Sequence, residues 1–329
     1  MIDITKTAVV SAKQVLEPAF IDEPIKPPTY PDADGVGKYV IYSNGDVNDV
    51  VLDTHQSQAN RIEPGFNNSG LVPDSTIRVG ADTIYLTEAG HRLADAVVRF
   101  SNQAPSVEGA LLSFSKGDAV PVAKLAPTSL LFGLWDSRKT YTKIVRLFNS
   151  EIRAHNIIEV PASGQFISSV PRLEDQVTKD LSSEGLLDCP YSGLGGVIVK
   201  GEIVRTARLN VRGIRKFETK ELQDYILSLG LFALTYPVNF DLREGCNLVA
   251  TKTVVETLNE DGTRSVIALT HADAVAFATK VAMVFGVGDA LEFIYNPAAA
   301  NASASGKVEA KEAKVAKKSG KAKATEAAA

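Results

Sequence analysis

The amino-acid sequence predicts an α+β fold of the split βαβ, ferredoxin-like kind, built on an antiparallel sheet. Two observations carry this prediction. Strand-like and helix-like segments alternate along the second half of the chain, and two hairpin patterns argue against a purely parallel sheet. The first pattern alternates apolar residues around Asn44-Gly45, and the second surrounds the turn at Asn259–Gly262.

The N-terminal part is predicted to contain an arm, a hairpin and a helix. Residues 1–35 hold five prolines and are predicted to form an extended arm, because a residue that precedes proline disfavours helix. Lys38–Thr54 is the first hairpin. Leu86–Phe100 is predicted as a helix, since its apolar and polar positions separate at helical spacing.

The middle of the chain predicts a strand followed by a basic helix. Leu130–Trp135 is apolar and is predicted as a buried strand, with Trp135 in the core. Lys143–His155 is predicted as a helix. Four of its side chains, spaced 3, 4 and 3 apart, would share one face: Lys143, Arg146, Ser150 and Arg153. Such a face can hold a phosphate backbone, although a solvated helix face shows the same pattern.

The C-terminal half is predicted to continue the alternation of strands and helices. Thr219 is of the residue type that caps helix N-termini. The predicted elements are, in order, strand Val197–Val211, helix Thr219–Thr235, the hairpin Cys246–Leu258 with Arg264–Leu269, helix His271–Phe285 and strand Ala290–Tyr295.

One face of the predicted strand Ile203–Arg212 is basic. Ala207, Leu209 and Val211 alternate with Arg208, Asn210 and Arg212, as in a sheet with one covered and one open face. RNA can lie on such an open face. The strand lacks aromatic residues, so phosphate contacts would dominate over base stacking.

The wider segment around this strand concentrates positive charge, which suggests a confined polyanion-binding surface. A charged strand edge that resists aggregation is the alternative. The segment holds six basic residues: Lys200, Arg205, Arg208, Arg212, Arg215 and Lys216.

Composition indicates a globular protein without a membrane span. The chain of 329 residues is 45% hydrophobic and 22% charged, which suffices for one large core or two smaller ones. It contains no run of about eighteen apolar residues. Cys189 and Cys246 are too few for a disulfide framework and are predicted to be free thiols, which favours a cytoplasmic location.

The C-terminal segment 297–329 differs from the rest of the chain. It has seven lysines and three glutamates and therefore a net charge of +4. Because the whole chain has a net charge of −4, the remaining residues have a net charge of −8. It has no aromatic residue and cannot bury a core. We therefore predict a disordered tail.

No catalytic or cofactor-binding pattern stands out. The histidines His55, His91, His155 and His271 lack metal-ligand spacing, and no phosphate-binding or nucleophile motif occurs. Asp136 and Glu151 could bind a divalent cation for phosphodiester cleavage. The simpler hypothesis is that Asp136 caps a turn and Glu151 forms an ion pair. We expect no cofactor, no metal and no enzymatic activity.

Several segments, in order, resemble a known family. These are HQSQANRIEP (residues 55–64), Leu71-Val72-Pro73, the helix that contains His91-Arg92, and LAPTSLLFGLWDSRKTYTKIVRLFNSEI (residues 125–152). Together they are similar to the backbone subunit of type I-G (formerly I-U) CRISPR Cascade complexes, the Cas-seven group of the RAMP superfamily.

The resemblance implies a fold, a function and partners. The fold would be a hand-like RAMP fold: an RNA-recognition-motif core at residues 36–296, with insertions at about 54–124 and 157–196. Copies of the protein would polymerise along the spacer of a CRISPR RNA and present it for pairing with target DNA. Its partners would include the large subunit and a Cas-five/Cas-six-type subunit of Cascade. The family's type I members are not nucleases.

The resemblance and the residue chemistry together suggest three RNA-binding clusters. Amides can bond ribose or phosphate, and arginine offers a bidentate fork to phosphate. The first cluster is Gln58, Asn60 and Arg61. The second is Ser137, Arg138, Lys143, Arg146 and Arg153. The third is Arg208 and Arg212.

Two other classes of function stay open on the sequence alone. One is a self-assembling structural protein that needs no nucleic acid, joined through edge strands and the proline-rich arm. The other is a metal-dependent ribonuclease that uses Asp136 and Glu151.

Overall fold

The computed structural model describes residues 2–21, 23–35, 37–166 and 189–305. The chain divides into two compact units. Unit 1 comprises Met1–Arg61, Phe148–Asn210 and Leu234–Thr270, and unit 2 comprises Ile62–Leu147, Val211–Ala233 and His271–Ala329. None of the helices in the described ranges combines the length and apolar character needed to cross a membrane. The predicted disordered tail began at residue 297, but residues 297–305 are helical, so the prediction is wrong there. Residues 306–329 and the Cys189 side chain lie outside the part whose structure is described.

The strands range from two to fourteen residues in length. They are β1 (Thr7–Pro18), β2 (Thr29–Pro31), β3 (Gly37–Tyr39), β4 (Ile41–Asn44), β5 (Val47–Asp53), β6 (Thr76–Val79), β7 (Asp82–Tyr85), β8 (Leu134–Trp135), β9 (Lys143–Ile144), β10 (Phe148–Ala154), β11 (Ile157–Phe166), β12 (Cys189–Val199), β13 (Ile203–Asn210), β14 (Asp241–Arg243), β15 (Cys246–Asn259), β16 (Arg264–Ile267) and β17 (Glu292–Ile294).

The helices are shorter on average than the sequence predicts. They are α1 (His55–Ile62), α2 (Ala96–Arg99), α3 (Ala104–Ser115), α4 (Val120–Leu125), α5 (Thr128–Phe132), α6 (Val211–Ile214), α7 (Lys220–Thr235) and α8 (His271–Phe285). Three 3₁₀ turns accompany them, at Glu63–Phe66, Leu86–Glu88 and Arg92–Ala94.

The main sheet belongs to unit 1 and has the predicted split βαβ order. Its strands lie in the order β14-β15-β1-β13-β10-β5-β4, with β16 paired to β15, and all neighbours are antiparallel. Along the chain, α1 lies between β1 and β10, and α7 lies between β13 and β15. If β1, β10, β13 and β15 are numbered 1 to 4 in chain order, they lie side by side in the sheet in the order 4-1-3-2. The predicted α+β class with an antiparallel core is confirmed.

One face of this sheet buries the core of unit 1. On β10, Phe148, Ser150, Ile152 and Ala154 are buried while the intervening residues are partly exposed, which is the period-2 alternation of a strand. The core cluster comprises Leu16, Ile25, Val50, Leu52, Ile152, Ala154, Ile157, Val197, Ile203, Leu242, Cys246 and Leu248.

Several predicted elements of the second half are confirmed. The hairpin β15–β16 and the helix His271–Phe285 form as expected, and β17 lies within the predicted strand Ala290–Tyr295. Helix α7 begins after Thr219, whose side-chain Oγ1 accepts the backbone N–H of Leu222 at 3.2 Å. Thr219 thus caps the helix as predicted.

Unit 2 packs its core around α7. The Tyr225 hydroxyl donates to the Leu71 carbonyl oxygen at 2.7 Å, and burial raises the pKa of Tyr225 well above its ordinary value. The Phe66 and Phe232 rings lie 4.5 Å apart. Helix α7 buries a continuous apolar stripe, and the packing of this stripe in the core of the unit stabilises the helix.

The prediction that residues 1–35 form an extended arm is wrong for a large part of that segment. Thr7–Pro18 do not form an arm but the strand β1, paired with β13 on one side and β15 on the other. The prolines begin where β1 ends, at Pro18, and the preceding residues are rich in valine and alanine. The proline count of the whole segment therefore obscured a central strand.

The predicted strand–helix pair in the middle of the chain is also wrong. Thr128–Phe132 form a helix, and only Leu134–Trp135 form a strand. The predicted helix Lys143–His155 is instead the strands β9 and β10. The predicted strand Val197–Val211 is also wrong as a single element, because it is divided between β12 and β13. The predicted helix Leu86–Phe100 is wrong as well, since this segment forms two 3₁₀ turns and the short helix α2.

Candidate nucleic-acid interface

The outward face of the main sheet carries the basic strand face that the sequence predicts. On β13, Ala207 and Leu209 are buried, whereas Arg208 and Asn210 are exposed. Arg208 pairs laterally with Ser11 of β1 and with Asn149 of β10, so it lies in a polar row near the middle of the sheet. The predicted alternation on this strand is confirmed as far as Asn210.

The cations on this face differ in how they are held. Lys13 forms an ion pair with Glu202 at 3.0 Å, and Arg153 donates to Glu151 at 2.9 Å. Among the residues that the structure describes, Arg208 has no carboxylate within ion-pair distance. Arg208 therefore offers a guanidinium to an anionic partner without first giving up an ion pair.

The Gln58–Asn60–Arg61 cluster is only partly exposed. Gln58 is 0% exposed, so it cannot contact RNA in this structure, which corrects the prediction for that residue. Asn60 is exposed and accepts from Gln56 at 3.0 Å. The Arg61 guanidinium donates to Asp53 at 3.1 Å and to the Leu242 carbonyl oxygen at 2.9 Å. These bonds hold Arg61 against strands β5 and β14 of its own unit.

Gln58 belongs to a buried polar network centred on Arg205. The Arg205 Nε donates to the Gln58 side-chain oxygen at 2.9 Å and to Ser150 Oγ at 3.0 Å, and its Nη1 donates to Gln14 at 2.6 Å. The Gln58 amide donates to Asp53 at 2.6 Å. Arg205 is 1% exposed, and burial lowers its pKa to about 10. The prediction that Arg205 contributes to a polyanion-binding surface is therefore wrong.

Unit 2 presents a second basic surface on the hairpin β8–β9. Trp135 pairs with Lys143, and both side chains are exposed, whereas Leu134 and its partner Ile144 are buried. Trp135 is 65% exposed, so the prediction that it lies in the core is wrong. The turn adds the exposed residues Arg138 and Tyr141.

Asp136 organises the turn of this hairpin. Its carboxylate accepts the backbone N–H groups of Arg138, Lys139 and Thr140 at 3.1, 3.2 and 2.8 Å, and the Thr140 hydroxyl at 2.8 Å. Burial raises the pKa of Asp136, but these hydrogen bonds outweigh it, so the pKa lies below its ordinary value. The hypothesis that Asp136 caps a turn is confirmed.

Two arginines hold the base of the hairpin. The Arg92 guanidinium pairs with Glu63 at 2.6 Å and also donates to the Gly133 carbonyl oxygen at 3.0 Å. Arg146 donates to the Phe132 carbonyl oxygen at 3.2 Å, and burial lowers its pKa. Arg146 therefore supports the hairpin backbone, a role that the sequence did not suggest.

The second and third predicted clusters are divided between the units. In the second cluster, Lys143 and Arg146 lie in unit 2, whereas Arg153 lies on β10 in unit 1. Ser150, which the predicted helix face also included, lies on the same strand as Arg153. The shared helical face does not exist, and Ser150 is buried. Ser137 is half-buried in the turn of the hairpin, and Arg212 is exposed on α6 in unit 2, not on β13.

Both carboxylates of the ribonuclease hypothesis have structural partners. Asp136 is 2% exposed and caps its turn, and Glu151 accepts from Arg153. Within the described ranges, no group of three or more histidine, cysteine or acidic residues could hold a metal ion. The absence of enzymatic activity stays a prediction.

Two exposed aromatic residues that lie next to basic ones were not among the predicted site residues. Trp135 and Tyr141 flank the turn that contains Arg138, and both are exposed. Aromatic side chains interleaved with cations are typical of surfaces that bind single-stranded nucleic acid. The signal was present in the letters WDSRKTYTK, but the assignment of Leu130–Trp135 to a buried strand concealed it.

Comparisons with known proteins give one family match and a distant structural likeness. Residues 10–159 match the family described as CRISPR-associated protein GSU0053. A chain of a solved structure titled "CRISPR RNA-guided surveillance complex, pre-nicking" aligns over 75% of this chain and 75% of that chain, with 12% identity and a TM-score of 0.40. No curated protein sequence matches. Over residues 10–159, the chain is therefore similar to a CRISPR-associated family.

Proposed function

We propose that this protein is a backbone subunit of a type I-G CRISPR Cascade complex, which binds CRISPR RNA and presents its spacer for pairing with target DNA. Copies would assemble along the guide in the cytoplasm, together with the large subunit and a Cas-five/Cas-six-type subunit. The protein would act by binding, not by catalysis.

The observation that carries this proposal is the family match over residues 10–159. The two longest segments that resemble the Cascade backbone subunit, residues 55–64 and 125–152, both fall inside that range. The second of these contains the whole hairpin β8–β9. The match and the motif resemblance thus point to the same part of the chain.

The exposed cations supply the chemistry that guide binding needs. Arg208 on the sheet, and Arg138 and Lys143 on the hairpin, are exposed, and the described residues offer none of them an ion-pair partner. A guide is read by base pairing, so its protein scaffold contacts mainly phosphate and ribose. A cation that has no carboxylate partner can bind a phosphate without first breaking an ion pair.

The test is to co-express the full chain with a CRISPR array and the partner subunits. The high-mass peak from a sizing column should show excess absorbance at 260 nm, and its extracted RNA should contain spacer sequence of guide length. A peak that contains the protein and its partners without RNA would overturn the proposal. Assembly of the protein alone, free of nucleic acid, would favour the self-assembling alternative.

A further inference from the structure

The hairpin β8–β9 presents the one tryptophan of the chain to solvent. A tryptophan on a hairpin could have turned inward, as Leu134 and Ile144 do. Exposing so large an apolar ring forgoes the stabilisation that its burial would give. This cost suggests that the ring has a binding partner.

A cleft of about 280 Å³ opens beside the Trp135 ring. Its walls include Arg99 and Arg138, together with Asp95 and His91. This volume lies just below the range of about 300–1,000 Å³ typical of drug-sized ligands. The cleft therefore has room for one small flat group, such as a single nucleobase, rather than for a larger ligand.

Arg138 is the exposed cation of the cleft, whereas the two carboxylates in its lining, Asp95 and Asp136, are half-buried and buried. The Arg138 side chain is exposed and has no ion-pair partner among the described residues, and Arg99 is half-buried with its Nε on the Ala94 carbonyl oxygen at 3.3 Å. The Asp95 carboxylate accepts the N–H groups of Val97 and His91, each at 3.1 Å, and these donors partly offset its negative charge. The Asp136 carboxylate is buried and accepts hydrogen bonds from its own turn.

The backbone around Trp135 is fixed before any ligand arrives. The N–H of Asp136 donates to the Thr142 carbonyl oxygen at 2.9 Å, and the Thr142 hydroxyl donates to the Leu111 carbonyl oxygen of α3 at 3.2 Å. Lys139 forms an ion pair with Glu108 of the same helix. A ring presented on so well-supported a turn loses little freedom when a base stacks on it.

We infer that one unpaired base of single-stranded RNA stacks on the Trp135 indole, with the adjacent phosphate held by Arg138. This inference rests on the proposed function and extends it, because it adds base stacking to a scaffold expected to rely on phosphate contacts. Stacking is tolerant of sequence, since every base has a flat face. The site would therefore act at any guide sequence.

The single tryptophan makes the inference directly measurable. The purified full chain is titrated with short oligoadenylate, and binding is followed both by tryptophan emission and by the anisotropy of a labelled copy of the RNA. Stacking predicts that emission is quenched in parallel with binding. An oligonucleotide of the same length with abasic riboses should bind without quenching.

Variants separate stacking from phosphate binding. Trp135→Ala should weaken RNA binding about 5- to 150-fold, the range that stacking energies imply, whereas Trp135→Phe should retain most of the affinity. Circular dichroism and thermal melting check that both variants fold. Binding with unquenched emission, or equal affinity of Trp135→Ala and the parent chain, overturns the stacking site and leaves the proposed function standing. Absence of any RNA binding, by the protein alone and with its partner subunits, overturns both.

Discussion

Arg92 donates to the carbonyl oxygen of Gly133 at 3.0 Å while its other nitrogens pair with the buried carboxylate of Glu63. A buried ion pair thus anchors the strand that carries Trp135. Burial raises the pKa of Glu63, and the Arg92 charge opposes this. The exposed hairpin surface therefore depends on a charge pair that is itself hidden from solvent.

Arg92→Ala should destabilise unit 2 strongly. It leaves the Glu63 carboxylate buried without its partner, which typically costs about 3–5 kcal/mol. The control is Arg78→Ala, which breaks the exposed pair with Glu292 at 3.4 Å and should cost about 0–1 kcal/mol. Urea unfolding measures both, and equal losses would contradict the anchoring role of Arg92.

Gly133→Ala should disrupt the base of the hairpin. Gly133 has φ +76° and ψ 160°, a backbone region used almost only by glycine. A Cβ added there would lie 2.9 Å from both the backbone nitrogen of Arg146 and the carbonyl oxygen of Ile144. Gly70→Ala has a similar φ of +70° but open space around the added atom. The Gly133 variant should lose more unfolding free energy than the Gly70 variant, by more than about 1 kcal/mol. Similar melting temperatures would show that the close contacts relax freely.

The turn of the hairpin should weaken in acid. The pKa of Asp136 is depressed in the folded chain, so its ionised form stabilises the fold above the unfolded-state pKa near 3.8, and this contribution is lost as the pH falls through the lower folded-state value. Asp136→Asn should therefore cost about 1–3 kcal/mol at neutral pH and progressively less below pH 3.8.

The control for Asp136 is the exposed Asp289→Asn in the same unit. Its unfolding free energy should follow the parent protein across the same pH range. A deficit of Asp136→Asn that stays constant in acid would argue against the ionised carboxylate as the source of turn stability.

Gln58 and Arg208 should separate stability from RNA binding. Gln58→Ala removes the amide between Arg205 and Asp53, so we expect a loss of about 1–3 kcal/mol in unfolding free energy and unchanged RNA affinity at temperatures where the variant is folded. Arg208→Ala should leave the melting temperature unchanged and weaken RNA binding. A melting temperature that falls only in Arg208→Ala would reverse the two assignments.

Salt dependence should identify the phosphate contacts. If Lys143 meets one phosphate, Lys143→Ala should reduce the slope of log affinity against log salt by about 0.7 for single-stranded RNA. Lys280 on α8 is equally exposed in the same unit and serves as the control. Identical slopes for both variants and the parent protein would remove Lys143 from the interface.

The elements with strong local signals were predictable from the sequence. The Asn44-Gly45 turn, the capping Thr219 and the apolar stripe of α7 each specify their structure within a few residues, because turn chemistry and helix capping act locally. These elements were enough to identify the α+β class with an antiparallel sheet, although β1 and β10, two strands of the split βαβ order, were predicted as an arm and a helix.

The middle of the chain shows why local patterns fail there. Ile144, Phe148 and Ile152 are four residues apart, a spacing that suits one face of a helix and equally one face of a strand, since four is a multiple of two. Pairing of Phe148–Ala154 with β13 and β5 decided in favour of the strand. That decision placed Ser150 and Arg153 on a strand of unit 1, whereas Lys143 and Arg146 belong to unit 2.

The sequence by itself therefore determined the fold class, the hairpins, the long C-terminal helices and the family resemblance, all of which depend on short-range patterns and motif order. Only the tertiary structure decided that β1 lies inside the sheet, that Gln58 and Arg205 are buried and that Trp135 is exposed. The reason is physical: burial depends on which distant strands and helices cover a residue, and no local pattern encodes that.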